Sequence, residues 1–306
     1  MACSFEILLP EPHGEIEAGA AVEALNLIDR LEDQMTIYRE TSELSLINRR
    51  AGLETVKVES RLFELLQLAQ RIWSETEGAF DISAGALSRL WGFHQREGRW
   101  VDAAEVRSAL RRVGMQHVRL DKDVVVFEVD GLELNLGSIG KGYAVDRAAE
   151  TLVESGVGSA LLSGGQSSLR AIGALPGRLG WNVGLGHPLH PDRHAAKLTL
   201  RDRGMSTSGI GEQHFERGGR RYGHILDPRT GRPAESGMLS VTVVAPTAAV
   251  ADALATAFFI LGLDWSVEYC RQHTDIGAVL IAEGTNGNRM ETVQVGMDDG
   301  DLEMLI

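Results

Sequence analysis

The stretch Leu134 to Asp146, LNLGSIGKGYAVD, joins an apolar strand end to a glycine-spaced turn, one lysine and the first turns of a helix. Gly137, Gly140 and Gly142 permit close backbone approach, a new helix presents N–H groups without intrahelical partners, and Lys141 adds positive charge. A bound phosphate is one reading of this turn; a tight strand-to-helix connection with no ligand is the other. The spacing is not Gly-x-Gly-x-x-Gly. Gly142, not Ser or Thr, follows the lysine, so neither the Rossmann nor the Walker mechanism transfers.

Other stretches carry residue types suited to chemistry. Gly223 to Pro233, GHILDPRTGRP, packs turn formers around His224 and Asp227, which fits either a functional loop or a Pro/Gly turn between strands. Asp252 and Thr256 stand four residues apart on a helix that is otherwise apolar, so both oxygens project from one face. Hard oxygen donors in that arrangement suit magnesium and the oxygens of a phosphate. The alternative is a Thr bonded back to its own helix and an Asp serving the helix N-terminus. His187, His190 and His194 resemble a metal cluster, but the proline-broken segment HPLHPDRH predicts an exposed loop with nothing to orient them. Met205 to Gly209 is a hydroxyl-rich site edge or a plain strand end. Neither a Gly-x-Ser-x-Gly elbow nor a Cys/His signature is present, so nucleophilic hydrolase chemistry is not indicated.

The elements that must position these residues follow from periodicity. Phe5 to Leu9 predicts a strand and Ile16 to Met35 a helix, followed by a polar loop, TIYRETSELSLIN. A second helix is expected from Ser60, as N-cap, to Thr76. Asp102 and Glu105 form a capping box for a helix ending by Gly114. His117 to Leu120, Val124 to Val129 and Leu132 to Leu134 read as strands, the last two joined by a turn at Asp130-Gly131. The helix begun near Lys141 stops at Gly156. Strands follow at Ser159 to Ser163, Trp181 to Leu185, Lys197 to Leu200 and Met238 to Ala245, then a helix over Ala248 to Leu261. Helices and strands intermix without a βαβ rhythm, which predicts an α+β fold with one continuous core, lobed or not, and no clear linker over residues 1–306.

The 306 residues, 43% of them hydrophobic, can bury a substantial core. A formal net charge of −13 opposes non-specific binding to nucleic acid or anionic lipid, so a polyanionic ligand would need a metal ion or local positive charge. The two cysteines, Cys3 and Cys270, are too few for a disulfide framework and read as reduced thiols. No apolar run approaches membrane-spanning length, and the N-terminus lacks signal-peptide features. As given, the chain is expected to be cytoplasmic; with a leader removed, the same residues would suit a periplasmic or membrane-anchored protein.

The order of these stretches carries a resemblance. Tyr38 with SELSLIN (Ser42 to Asn48), GAFDISAGALSRLWGF (Gly78 to Phe93), LNLGSIGKGYAVD, SGG (Ser163 to Gly165), STSG (Ser206 to Gly209), HILDPRTGRP (His224 to Pro233) and DALATAFFILG (Asp252 to Gly262) together resemble the ApbE-like FAD:protein FMN transferases. The resemblance spans nearly the whole chain. It implies a single T-fold-related flavin-transferase domain of the α+β class, with mixed sheets and flanking helices. It also implies FAD as donor substrate, magnesium at the pyrophosphate, and transfer of FMN to a Ser or Thr hydroxyl of an acceptor protein with release of AMP. Some members of that family instead hydrolyse FAD to FMN and AMP, and a non-catalytic FAD-binding protein would keep the same fold.

By position, the resemblance places Met1, Tyr38, Ala79, Phe80, Asp81, Asn135, Lys141 and Leu226 at the FAD. Ser138, through its carbonyl, falls with Asp252 and Thr256 on the metal positions. His224 falls on the base that deprotonates the incoming hydroxyl, and Lys141 would help neutralise the pyrophosphate. The chain departs from the family pattern in three places: Asn135 replaces an Asp, Ala255 stands where some members place a second acid, and Met1-Ala2-Cys3 replaces Met-Gly-Thr.

Overall fold

The structure, a computed structural model, describes residues 3–95, 98–210, 214–217, 220–284, 290–298 and 300–306. In chain order its elements begin with β1 (Phe5–Leu8), α1 (Glu15–Met35), α2 (Glu43–Arg50), β2 (Val56–Lys57), α3 (Ser60–Glu75), α4 (Gly85–Leu90) and α5 (Ala103–Leu110). Next come β3 (Val118–Asp121), β4 (Val124–Phe127), α6 (Gly140–Glu154), β5 (Ala160–Gly164), β6 (Ser168–Ile172), β7 (Trp181–His187), β8 (His190–Leu200) and β9 (Gly204–Gly209). The remainder is β10 (His214–Arg217), β11 (Arg220–Gly223), β12 (Leu226–Asp227), β13 (Arg232–Pro233), β14 (Met238–Ala245), α7 (Ala248–Leu261), α8 (Leu263–Gln272), β15 (Gly277–Glu283), β16 (Met290–Val295) and β17 (Leu302–Met304). No helix of the described residues is long and apolar enough to cross a membrane.

These elements form two compact units. One comprises Met1–Glu32, Ile139–Gly209 and Gly237–Ile306; the other comprises Asp33–Ser138 and Ile210–Ser236. The first is built on a seven-stranded sheet of order β1-β5-β6-β9-β14-β15-β16, antiparallel at every pairing. β14 is buried at all eight positions, which is why MLSVTVVA shows no polar alternation. Leu161, Leu169, Met205, Val244 and Val279 pack into one core cluster with Trp181, Leu185, Leu198 and Leu200 of the β17-β8-β7 sheet. Period-2 alternation sends their strand neighbours the other way, towards α6 and α7, so Ser168 and Ser206 point at α7.

Two glycines set how closely α7 can approach. A Cβ at Gly142 would lie 2.2 Å from the Ala248 carbonyl oxygen, and one at Gly204 would lie 2.1 Å from the Ala248 nitrogen. Gly142 therefore serves helix packing, where the sequence pattern suggested room for a ligand.

In the second unit β2, β4 and β3 form a small antiparallel sheet beside α2 to α5, with two hairpins, β10-β11 and β12-β13. Three sequence expectations change here. The expected loop after α1 contains α2, because Ser42 caps it by accepting the Ser45 N–H at 3.0 Å. Glu59, not Ser60, caps α3, accepting the Arg61 and Leu62 N–H groups at 3.0 Å each. Leu132 to Leu134 is no third strand of a meander: β4 pairs with β2 and β3, and Glu133 bridges Ala84 in parallel instead. Gly85 permits this, since a Cβ there would sit 2.7 Å from the Glu133 carbonyl oxygen.

Gly142→Ala should destabilise the protein by about 1–3 kcal/mol in urea unfolding, because the clashing atoms are backbone and cannot rotate away. Gly19→Ala, in α1 with nothing within 4 Å of the new carbon, is the control and should be neutral or stabilising. Equal stability of wild type and Gly142→Ala would refute the packing argument.

Candidate functional site

In the first unit α6 and α7 cap one another with carboxylates. Asp252, 4% exposed, projects from α7, and its Oδ2 accepts the Gly142 N–H in the first turn of α6 at 3.1 Å. Asp146 projects from α6, and its two oxygens accept the Ala248 and Ala249 N–H groups at 2.9 and 2.8 Å. The Thr247 hydroxyl accepts from Val250, and Ala251 donates to the Thr247 carbonyl, which completes the first turn of α7. The Arg170 Nε lies 3.8 Å from Asp146 Oδ1, and its guanidinium also donates to the Pro246 carbonyl. Burial pushes the Asp146 carboxyl up to about 6, against the pull of the two N–H groups and Arg170.

Lys141 and Thr256 meet Asp252 here. The Lys141 Nζ lies 3.8 Å from Asp252 Oδ1. Ser206 and Ser168 donate to the same oxygen at 2.9 and 3.2 Å. The Thr256 hydroxyl donates to the Asp252 backbone carbonyl at 3.2 Å, which leaves its oxygen lone pairs open to a cation. Among the described residues no three His, Cys, Asp or Glu side chains form a metal-binding group. One carboxylate and one hydroxyl are nonetheless a donor set that fits magnesium, which takes few protein ligands and completes its shell with waters and phosphate oxygens. Part of the N-terminus of α6, which one of the two sequence readings turned towards a phosphate, is thus occupied by Asp252.

The second unit holds the other candidates except Met1, which lies outside the described residues. The Asn48 side chain bonds both backbone groups of Leu134, accepting at 2.8 Å and donating at 2.9 Å. Asn135 follows, its N–H bonded to the Ile82 carbonyl and its Oδ1 accepting the Gly137 N–H at 2.9 Å. This Asx turn leads to Ser138, itself half-buried.

Ala79, Phe80 and Asp81 are all buried. Asp81 accepts the Ser83 N–H and hydroxyl at 2.7 and 2.5 Å and the Met115 N–H at 3.3 Å, and burial raises its pKa despite these bonds. That carboxylate organises its own loop, so the segment presents backbone to any ligand. Leu226 packs on two small clusters, around Leu87 and around Trp91.

Tyr38 and His224 come to one short turn, Phe93–Gln95. Tyr38, 69% exposed, donates from its hydroxyl to the His94 carbonyl at 3.1 Å, and the His224 ring stands edge-on to Phe93 with centroids 6.5 Å apart. The Trp91 Nε1 donates to the Gly231 carbonyl at 2.9 Å and holds the hairpin that follows His224. Asp227 grips Arg229 through both carboxylate oxygens, at 2.9 Å each.

Sequence reasoning missed Asp146, Ser168 and His94, whose Nδ1 is buried without a hydrogen-bond partner. The Asp at the end of GKGYAVD, one turn beyond the lysine, was the available signal for the first; nothing marked the other two. The histidine segment also departs from expectation. It is a β7–β8 hairpin, and the buried His187 accepts the Leu189 and His190 N–H groups through Nδ1 at 3.1 and 3.2 Å. Both cysteines are free thiols, and burial pushes Cys270 up to about 12.

A family model described as the ApbE family matches residues 1–280. The FAD:protein FMN transferase of Klebsiella pneumoniae (strain 342) is 35% identical over 270 residues, covering 86% of this chain and 82% of that protein. The FAD:protein FMN transferase of Treponema pallidum (strain Nichols) is 33% identical over 295 residues, covering 91% and 81%. Among solved structures, the apo form of Pseudomonas stutzeri flavinyl transferase ApbE superposes with a TM-score of 0.83 at 28% identity, covering 95% of this chain and 90% of that one. The Thermotoga maritima ApbE protein gives 0.81 at 30% identity, covering 93% and 91%.

The raised Asp146 pKa has a defined sign. The folded protein holds this proton to higher pH than the unfolded chain, so the contribution of Asp146 to stability falls as pH rises from about 4 to about 6. Urea unfolding of wild type and Asp146→Asn across pH 4–8 should show the difference between them changing by roughly 2–3 kcal/mol over that window. A pH-independent difference would contradict the burial argument.

Proposed function

The chain belongs to the ApbE family and is an FAD:protein FMN transferase, and we propose that it uses magnesium to move the FMN half of FAD onto a Ser or Thr hydroxyl of an acceptor protein, releasing AMP. The observation that carries the magnesium reading is the Lys141–Asp252–Thr256 cluster: a half-buried ammonium and a half-buried hydroxyl with open lone pairs around a buried carboxylate. Asp252 and Thr256, with the Ser138 carbonyl, would hold magnesium. When bound, the metal supplies charge neutralisation at the pyrophosphate and at the departing AMP.

The chain's own residues have the remaining roles. Lys141 binds and neutralises the phosphates, which a protein of net charge −13 needs locally. Asn135 and Leu226 and the backbone of Ala79, Phe80 and Asp81 bind FAD, with Tyr38 and Met1 beside them. Asn135 replaces an acid with an amide that can donate as well as accept. His224 takes the proton from the acceptor hydroxyl as its oxygen bonds to the FMN phosphorus and the bond from that phosphorus to the AMP phosphate oxygen breaks. Its support is Phe93 beside the ring and the braced hairpin that follows it. Water in place of the acceptor hydroxyl would give FAD hydrolysis by the same steps.

His224→Ala should bind FAD within about threefold of wild type while transfer to an acceptor protein falls by roughly 100-fold or more, the usual range for a lost general base. AMP release and the mass of the acceptor are the readouts. Full transfer by this variant would remove His224 from the base role, and FAD binding without AMP or flavinylated acceptor in wild type would remove the transferase reading.

A further inference from the structure

The Asp252 carboxylate is held by more than a helix cap requires. An ionised carboxylate has about four acceptor sites, two on each oxygen. Ser206 donates to Oδ1 at 2.9 Å. The single proton of Ser168 has two acceptors at 3.2 Å, Oδ1 and the Ser206 oxygen. Lys141 Nζ adds positive charge 3.8 Å from the same Oδ1. Oδ2, by contrast, accepts only the Gly142 N–H, at 3.1 Å, among the hydrogen bonds described.

The two serines come from neighbouring strands, β6 and β9, at the paired positions Ser168 and Ser206. Both are fully buried. Alanine at either position would remove a donor from the buried Asp252 Oδ1, so the two hydroxyls are matched to this carboxylate. Ser206 takes one lone pair of Oδ1, and the shared Ser168 proton and the nearby Lys141 ammonium compete for the other, so the carboxylate is oriented and Oδ1 is its less available oxygen.

We propose that Ser206 and Ser168 are positioning residues that occupy Asp252 Oδ1, leave a cation only the remaining lone pair of Oδ2, and so favour magnesium over calcium. The chemistry follows from the two ions. Calcium readily takes both oxygens of one carboxylate, whereas magnesium holds a tight octahedral shell and binds single oxygens. A carboxylate locked for one-oxygen contact therefore suits the smaller ion, and hydrogen-bonded partners behind a ligand commonly set metal affinity by 10–100-fold. This inference rests on the magnesium reading above and adds which side chains impose the preference.

The test is calorimetric titration of FAD-saturated protein with Mg2+ and, separately, with Ca2+, for wild type, Ser206→Ala and Ser168→Ala. We expect Ser206→Ala to weaken Mg2+ binding about 10-fold or more while Ca2+ binding changes by less than about threefold, with Ser168→Ala shifting the ratio in the same direction. The ratio separates positioning from support, because a general loosening of α7 weakens both ions alike. Parallel weakening, or unchanged affinity for both ions in both variants, would overturn the proposal and leave the magnesium reading standing. Failure of wild type itself to bind Mg2+ in the presence of FAD would overturn both.

Discussion

The reciprocal capping of α6 and α7 is the constraint from which the rest of the first unit follows. Each helix gives a buried carboxylate to the N-terminus of the other: Asp146 to Ala248 and Ala249, and Asp252 to Gly142. An ionised carboxylate away from water is strongly unfavourable unless hydrogen-bonded, and helix N–H groups are equally in need of acceptors. Each helix meets the other's requirement only at very short range. Gly142 and Gly204 supply that range by having no Cβ where the Ala248 backbone sits. The same contact carries Lys141 to Asp252, so the arrangement that stabilises the helix pair also assembles the charged corner.

The second unit uses a different device. Its candidate groups lie on turns and short hairpins, which regular hydrogen bonding does not hold. Side chains reaching over long sequence distances hold them instead: Asn48 on Leu134, Trp91 on Gly231, and Asp81 on Met115. Each is buried or partly buried, so each bond lies where its loss would leave an unsatisfied polar group, at about 1–3 kcal/mol. This is how the segments bearing Asn135, His224 and Leu226 are held where regular pairing is short or absent.

Long elements with one-sided or wholly buried patterns were legible in the sequence. Met238–Ala245 and Ala248–Leu261 come out with the bounds that periodicity predicts, and the Asp102–Glu105 capping box is present. Leu132 to Leu134 was misread because its partner, Ala84, is far off in sequence and is fixed by Gly85 and Asn48, not by a local turn. α2 was hidden in a polar loop since only Ser42 marks its start. Of the charged corner, Lys141, Asp252 and Thr256 were legible as residue types at suggestive spacing. Asp146 was legible only as an acid near the lysine, its use as a cap on another helix being set by the fold, and Ser168 was not legible at all. Both expected uses of Thr256 are compatible: its proton bonds back to the helix and its lone pairs stay open.

The magnesium role requires that Asp252, besides capping α6, holds a cation at the FAD phosphates. Asp252→Asn keeps an oxygen for Ser168 and Ser206 but removes the charge and the second acceptor oxygen. The most direct measurement is AMP release from FAD as a function of Mg2+ concentration for this variant and wild type, with FAD binding measured in parallel. If Asp252 holds the cation, the variant still binds FAD without magnesium and its AMP release no longer rises with Mg2+ over the range that saturates wild type. A magnesium curve for Asp252→Asn that superimposes on the wild-type curve would contradict that role.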